Sequence, residues 1–287
     1  MQIYKNIDKC LLKILLIFLV FVSSESFSQS GLINIKSKEE LILSDFTKII
    51  SSKSDSLKEI YNSEILSYFT QILEDDLAFD YKFDTLKNYV SILFSDDNLL
   101  KVYTWGVSLS NGEYKYYGFL QHRNKKKVKS TIYSLSDKSK EIENPEMELL
   151  TNENWYGALY YELITTKSGK KKYYTLLGWD GNNDFSTKKI IEVLTFNGSE
   201  KPKFGSSFEI EKKKSKRVIF EYNTQAKMTL SFNSEANTIV FDHLSPSDPK
   251  FEGMYQYYGP DFSYDGLKFD DGFWIYLPDL DIRNKKE

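Results

Sequence analysis

Cysteine is almost absent from this chain: one in 287 residues, at Cys10. It precedes the apolar run Ile14 to Val22 instead of ending it, so it is out of place for the lipid-bearing cysteine of a lipoprotein. A chain cut after that run keeps no cysteine. It then has no disulfide, no thiolate nucleophile and no cysteine-containing metal site, and its own core must hold it together. Histidine is nearly as scarce, with only His122 and His243. A Ser-His-Asp triad would have to use one of them, and no Gly-x-Ser-x-Gly turn exists to present a serine. Nor is there a His-x-x-x-His spacing for catalytic zinc. Long hydrophobic runs are lacking too: Ile14 to Val22 is nine residues, where a bilayer span needs roughly 20.

What is present at the N-terminus has the order of an export signal. Lys5, Lys9 and Lys13 precede the apolar run, and Ser26-Phe27-Ser28 supplies small residues at a peptidase site. The expected cut lies before Gln29. Residues 1–28 then read as a cleaved signal peptide, 29–88 as a helical segment packed on a sheet, and 89–287 as a β-rich domain. The expected location is periplasmic or secreted, with no transmembrane anchor after cleavage. The mature chain keeps 35 basic and 39 acidic residues. Mild, mixed acidity gives no long-range pull toward nucleic acid, which is not expected as a partner. Tyrosine and phenylalanine are abundant, 21 and 20 residues, as half-buried sheets and sugar-binding faces both favour.

Helical spacing covers residues 37–75. Ser37-Lys38-Glu39-Glu40 reads as a capping box ahead of Ile42, Phe46, Ile49 and Ile50. A second helix opens near Ser54 or Ser56, with a stripe of Leu57, Tyr61, Ile65, Tyr68, Phe69 and Ile72. From about Val90 the period changes to two. Met228 to Phe232 alternates, and Val218, Phe220 and Tyr222 share a face opposite Arg217 and Glu221. Further strands are expected at Leu99–Trp105, Glu113–Gln121, Ser130–Leu135, Tyr156–Thr165, Lys172–Trp179, Lys189–Phe196, Thr238–His243 and Leu267–Tyr276. Turn signals separate them at Asn111-Gly112, Ser168-Gly169, Asp180-Gly181, Asn197-Gly198 and Asp271-Gly272, where glycine accepts a positive φ. The fold class is mainly β (α+β): an antiparallel meander of about ten to twelve strands, propeller-like or sandwich, with two N-terminal helices. Similar strand ends at Trp105-Gly106 and Trp179-Asp180-Gly181 hint at an internal duplication.

Four segments carry a resemblance. They are Asn154 to Tyr161, Tyr173 to Asn183, Phe241 to Pro249 and Tyr258 to Gly266. Over roughly residues 80–285 the chain resembles a family of uncharacterised exported proteins from Bacteroidetes-type bacteria. That resemblance implies export from a Gram-negative cell and brings no activity, ligand or catalytic residue with it.

Among candidate chemistries, the sharpest local pattern is Asp180-Gly181-Asn182-Asn183-Asp184. Oxygen-bearing Asp180, Asn182 and Asp184 alternate as at the start of a calcium loop, although the glycine is misplaced for an EF-hand and a plain Asp-Gly hairpin competes. Calcium is the one cofactor considered; no cofactor-binding residues are otherwise expected. Carboxylate pairs for glycoside hydrolysis could be drawn from Glu153, Glu162, Asp180, Asp261 and Asp265, which lie near aromatics. His122 and His243 read as structural. The basic clusters Arg123–Lys129, Lys170–Lys172 and Lys212–Arg217 read as solvated hairpin ends. The functional expectation is a non-enzymatic binding or envelope-associated protein with a protein or glycan partner. The alternative is an extracytoplasmic hydrolase acting on glycans through a carboxylate pair.

Overall fold

The computed structural model describes residues 29, 31–123, 129–196, 201–210 and 213–281. The proposed signal segment, most of the Arg123–Lys129 cluster, the Asn197-Gly198 turn and Lys212 lie outside them. The chain divides into two compact units, with the main boundary between Leu86 and Lys87.

The first unit contains α1 (residues 31–51) and α2 (Asp55–Leu73), followed by short 3₁₀ turns at Asp76–Phe79 and Asp84–Leu86. Helix α1 therefore starts before Ser37, which is no cap: its hydroxyl donates back to the Asn34 carbonyl at 2.9 Å, inside the helix. Ile42, Phe46 and Ile49 are buried as the spacing predicts, but Ile50 is 71% exposed, one step off the stripe. In α2 the buried face is Ile65, Phe69, Ile72 and Leu73, and Leu57 near its start is exposed.

The second unit is built of fifteen strands among the described residues, in three sheets. The first sheet is a meander of β1 (Ser91–Phe94), β2 (Leu100–Ser108), β3 (Tyr114–Arg123) and β4 (Ser130–Ser136). The second contains β5 (Leu159–Ser168), β6 (Lys171–Asp180) and β7 (Ser186–Phe196), with β8 (Pro202–Phe204) and β11 (Arg217–Asn223) sharing the outer side of β7. The third runs in the order β10 (Lys213–Ser215), β9 (Ser207–Ile210), β15 (Phe273–Leu277), β14 (Tyr258–Asp270), β13 (Thr238–Pro246), β12 (Leu230–Asn233). Among the described residues all pairings of these strands are antiparallel except β9 with β15, which run parallel. The expected strand Leu267–Tyr276 is two strands. Asp271 and Gly272 both take positive φ, 39° and 91°, and reverse the chain between β14 and β15.

The second sheet is central. Tyr174, Leu176, Ile190 and Leu194 face a core shared with Leu100, Val102, Tyr116 and Leu120 of the first sheet. Their neighbours Tyr173, Leu177, Ile191 and Val193 face a second core with Phe208, Ile239, Phe241, Leu267 and Trp274 of the third. A strand buried on both faces reads as a near-continuous apolar run, not an alternating one, and Tyr173 to Leu177 and Ile190 to Leu194 do so apart from Thr175 and Glu192. Polar cross-links pin the layers: the Tyr160 N–H donates to Thr104 Oγ1 at 3.1 Å, and Trp274 Nε1 to Thr175 Oγ1 at 3.0 Å.

Candidate functional site

In the Asp180 loop the three oxygen-bearing residues have different immediate neighbours. Asp180 is buried, and its Oδ1 accepts the Asn182 N–H at 2.8 Å. Burial pushes its carboxyl above the usual range, against hydrogen bonds from Asn182 and Tyr116 and the charge of Lys188 that favour the anion. Asp184 is exposed and sits against Gly112 of the β2–β3 turn. The Asn182 side-chain amide donates to Ser186 Oγ at 2.8 Å and Glu221 Oε1 at 3.2 Å. The residue with positive φ is Asn182, at 50°, not Gly181. Gly181 is required for a different reason: a Cβ there would lie 2.3 Å from the Tyr114 ring, and its N–H donates to Tyr116 Oη at 2.8 Å. The loop thus fastens the central sheet to β3. Among the described residues no group of three or more His, Cys, Asp or Glu converges as a metal site.

A buried polar chain begins in the Asn154 to Tyr161 segment. Trp155 Nε1 donates to Tyr160 Oη at 2.7 Å, and Tyr160 Oη donates to Glu192 Oε2 at 2.6 Å. Glu192 Oε1 accepts from Arg217 Nε at 2.6 Å and also from Arg217 Nη2. Arg217 is fully buried, so the reading of Lys212–Arg217 as wholly solvated is corrected at its last residue. Burial is tolerable because the guanidinium meets a carboxylate and donates Nη1 to the Pro145 carbonyl.

That pair is the inner end of a row along one face of the β7–β11 ladder. The register sets Glu192 opposite Arg217, Ile190 opposite Ile219, and Lys188 opposite Glu221. Residues 143–147 lie beside the row: the Lys216 N–H donates to the Glu146 carbonyl at 2.6 Å, and the Ile219 N–H to Glu146 Oε1 at 3.3 Å. Between them is a groove of about 300 Å³ whose lining includes Glu146, Tyr156, Lys188, Ile219, Glu221 and Tyr255. Glu221 Oε1 accepts from Ser186 Oγ and Asn182 Nδ2, while its Oε2 stands 4.0 Å from Lys188 Nζ. Among the described residues the mostly enclosed Lys188 ammonium reaches Tyr156 Oη at 3.4 Å and that carboxylate oxygen at 4.0 Å, and its charge also acts on Asp180. Burial raises the Glu146 carboxyl above its ordinary range, outweighing the Ile219 bond and the Arg217 charge. The Tyr156 phenol is also raised, by burial and then by Asp180 and Glu221.

The other residues singled out by sequence are placed elsewhere. His122 stacks on Phe196 with ring centroids 3.8 Å apart. His243 sits at a register shift in β13, its Nδ1 2.7 Å from Asp265 Oδ2, which also accepts from Tyr276 Oη at 2.8 Å. Asp261 is 3.9 Å from His243 Nε2. Glu153 is exposed in a short 3₁₀ turn, and Glu162 Oε2 accepts the Phe232 N–H at 3.2 Å. Of the five acids considered for a pair, none lines the groove; Asp180 alone bears on it, through Tyr156. Lys172 pairs with Asp97, which also takes Tyr174 Oη at 3.1 Å. In the first unit a hollow of about 460 Å³ adjoins Leu32, Leu77, Phe83 and the buried Glu39. Glu39 is already engaged by Tyr81 Oη and Thr85 Oγ1, both at 2.6 Å, so the β7–β11 groove has more unused polar capacity.

Sequence reading missed Glu146, Lys188 and Tyr255. One signal was available: Glu192 is a lone acid within Ile190 to Leu194, and a charge in a doubly buried strand demands a partner. Comparisons with protein-family models, with curated proteins and with solved structures return nothing that matches this chain. Among the described residues no helix is long and apolar enough to cross a membrane, which leaves β-barrels unaddressed.

Proposed function

We propose that this is an exported, envelope-associated binding protein whose β7–β11 groove takes a polyhydroxylated ligand of the glycan class. The observation that carries the reading is the unused hydrogen-bonding capacity of Lys188 beside Glu221. A sugar hydroxyl both donates and accepts, so it is matched by a carboxylate oxygen and an ammonium on adjacent strands. Tyr255, 48% exposed at the rim, offers an aromatic face to the apolar side of a sugar ring. Export rests on the N-terminal lysines, the short apolar run and Ser26-Phe27-Ser28, and the Bacteroidetes-type resemblance agrees with it.

Calorimetric titration with soluble oligosaccharides of neutral hexose, N-acetylhexosamine and uronic acid tests the groove. At least one should bind, and Lys188→Met and Glu221→Gln should each weaken it by about tenfold or more, the scale of a lost charged hydrogen bond. Binding that is unchanged in both variants, or absent from wild type, overturns the reading.

A further inference from the structure

A second hollow, of about 310 Å³, borders β11 two residues beyond the groove. Glu221 lines the groove and Asn223 lines this hollow, and side chains two apart on a strand share a face. The short turn Tyr255–Tyr257 and the following Tyr258 serve both. Tyr255 lines the groove, Tyr257 and Tyr258 line the hollow, and the rings of Tyr255 and Tyr258 stand 5.2 Å apart. That turn is fastened at three points. Asn223 Nδ2 donates to the Gln256 carbonyl at 2.6 Å, the Ser247 N–H donates to the Tyr257 carbonyl at 2.9 Å, and the Tyr257 ring stacks on Phe251 at 4.1 Å. The aromatic surface is therefore set before a ligand arrives. Among the described residues the side-chain hydroxyls of Ser245, Ser247 and Tyr257 meet no hydrogen-bond partner, and all three residues line the hollow. Charge differs between the two places. The hollow's lining holds no Asp, Glu, Lys or Arg, whereas in the groove Glu143, Glu146 and Glu221 outnumber Lys188.

We infer that the ligand is a neutral, linear glycan chain of several units, lying along β11 from the groove across the Tyr255–Tyr258 pair into the second hollow. This rests on the glycan-binding reading above and adds chain length and charge to it. A single sugar in the groove leaves Ser245, Ser247 and Tyr257 to water, whereas a chain brings hydroxyls that both donate and accept to each of them. The apolar faces of its rings cover the tyrosines between. An anionic chain is disfavoured, because its carboxylates would stand beside three of the protein's own. Asn223 serves the turn: its Nδ2 holds the Gln256 carbonyl, and its Oδ1 accepts the Gln225 N–H at 2.8 Å.

Calorimetry on the full chain with hexose and N-acetylhexosamine oligosaccharides of one to six units reads the gain in affinity with length. In at least one series affinity should rise by about tenfold or more from the shortest sugar to the longest, as added hydrogen bonds and stacking accumulate. A uronic acid series should bind more weakly at each length. Gly259 lines the second hollow, and an added Cβ there would meet only Ala226, at an ordinary 3.7 Å, so Gly259→Leu should fold and narrow the hollow. It should erase most of the gain with length. The double variant Ser245→Ala/Ser247→Ala should cut that gain by roughly threefold or more, and it alone is judged should Gly259→Leu melt early. Equal affinity for short and long chains overturns the inference and leaves binding in the groove standing. A gain with length that survives unchanged in the variants overturns it in the same way, as does tighter binding of the uronic series. Absence of binding to every sugar overturns both readings.

Discussion

Glu192 and Arg217 face one another across the β7–β11 ladder with both side chains fully buried. The pair is held in a chain that runs from Trp155 through Tyr160 to the Pro145 carbonyl. Breaking it leaves one charge buried without its partner. Glu192→Gln or Arg217→Met should therefore cost about 3–5 kcal/mol in urea unfolding. The double variant Glu192→Met/Arg217→Met should recover much of that loss, because it strands no charge. Equal losses in single and double variants would count against the pair as the cause.

Tyr160→Phe isolates the next link. It removes a hydroxyl that accepts from Trp155 and donates to Glu192, leaving an indole N–H and a carboxylate oxygen short of a partner. The expected cost is about 1–3 kcal/mol, with a change in the tryptophan fluorescence of the folded state. A silent substitution would mean that water replaces the hydroxyl.

Gly181→Ala should destabilise by about 1–3 kcal/mol, because the added Cβ meets the Tyr114 ring at 2.3 Å. Tyr114→Ala in the same chain should relieve part of this, giving a coupling energy of opposite sign to the single losses. Asn182→Gly, by contrast, should be tolerated, since Asn182 holds the positive φ. If Asn182→Gly is the damaging change, the loop depends on the Asn182 amide more than on its backbone.

The His243 imidazole titrates above its ordinary value, chiefly because Asp265 accepts its Nδ1 proton, with Asp261 and Asp279 adding negative charge against a smaller effect of burial. The protonated form is the one the fold prefers. Its contribution is fully present below the unfolded value of about 6.5 and is lost as pH rises through the higher folded value. Unfolding midpoints measured from pH 5.5 to 9 should fall for wild type relative to His243→Gln across that interval. Parallel profiles would show that the imidazole is not linked to folding.

The outer parts of this fold were plain in the residues. Val218, Phe220 and Tyr222 do share a face opposite Arg217 and Glu221, because β11 is an edge strand with different surroundings on its two sides. The central strands were legible as strands but not as a middle layer. Tyr173 to Leu177 has no alternation, and an apolar run does not say how many neighbours it has. Short β8, β9 and β10 carry too few residues for any period. The groove escaped notice because Glu146 and Glu221, both in its lining, are 75 positions apart in the chain. The Asp180 pattern drew attention for its oxygens, whereas the packing of Gly181 depends on Tyr114 and Tyr116, more than sixty residues earlier.

The parallel pairing of β9 with β15 joins Ser207 to Phe273, about 66 residues later in the chain. Strands β9 and β10 therefore have no place to dock until the last strand has been made. A chain that emerges from its N-terminus can assemble the first two sheets and the β12–β14 part of the third early, but β9 and β10 must wait for β15. The C-terminal strand thus acts as a latch: losing it would free not only its own hairpin but also a pair of strands near the middle of the sequence. Quality control that senses exposed strand edges would read such a truncated chain as unfinished, even with both earlier sheets intact.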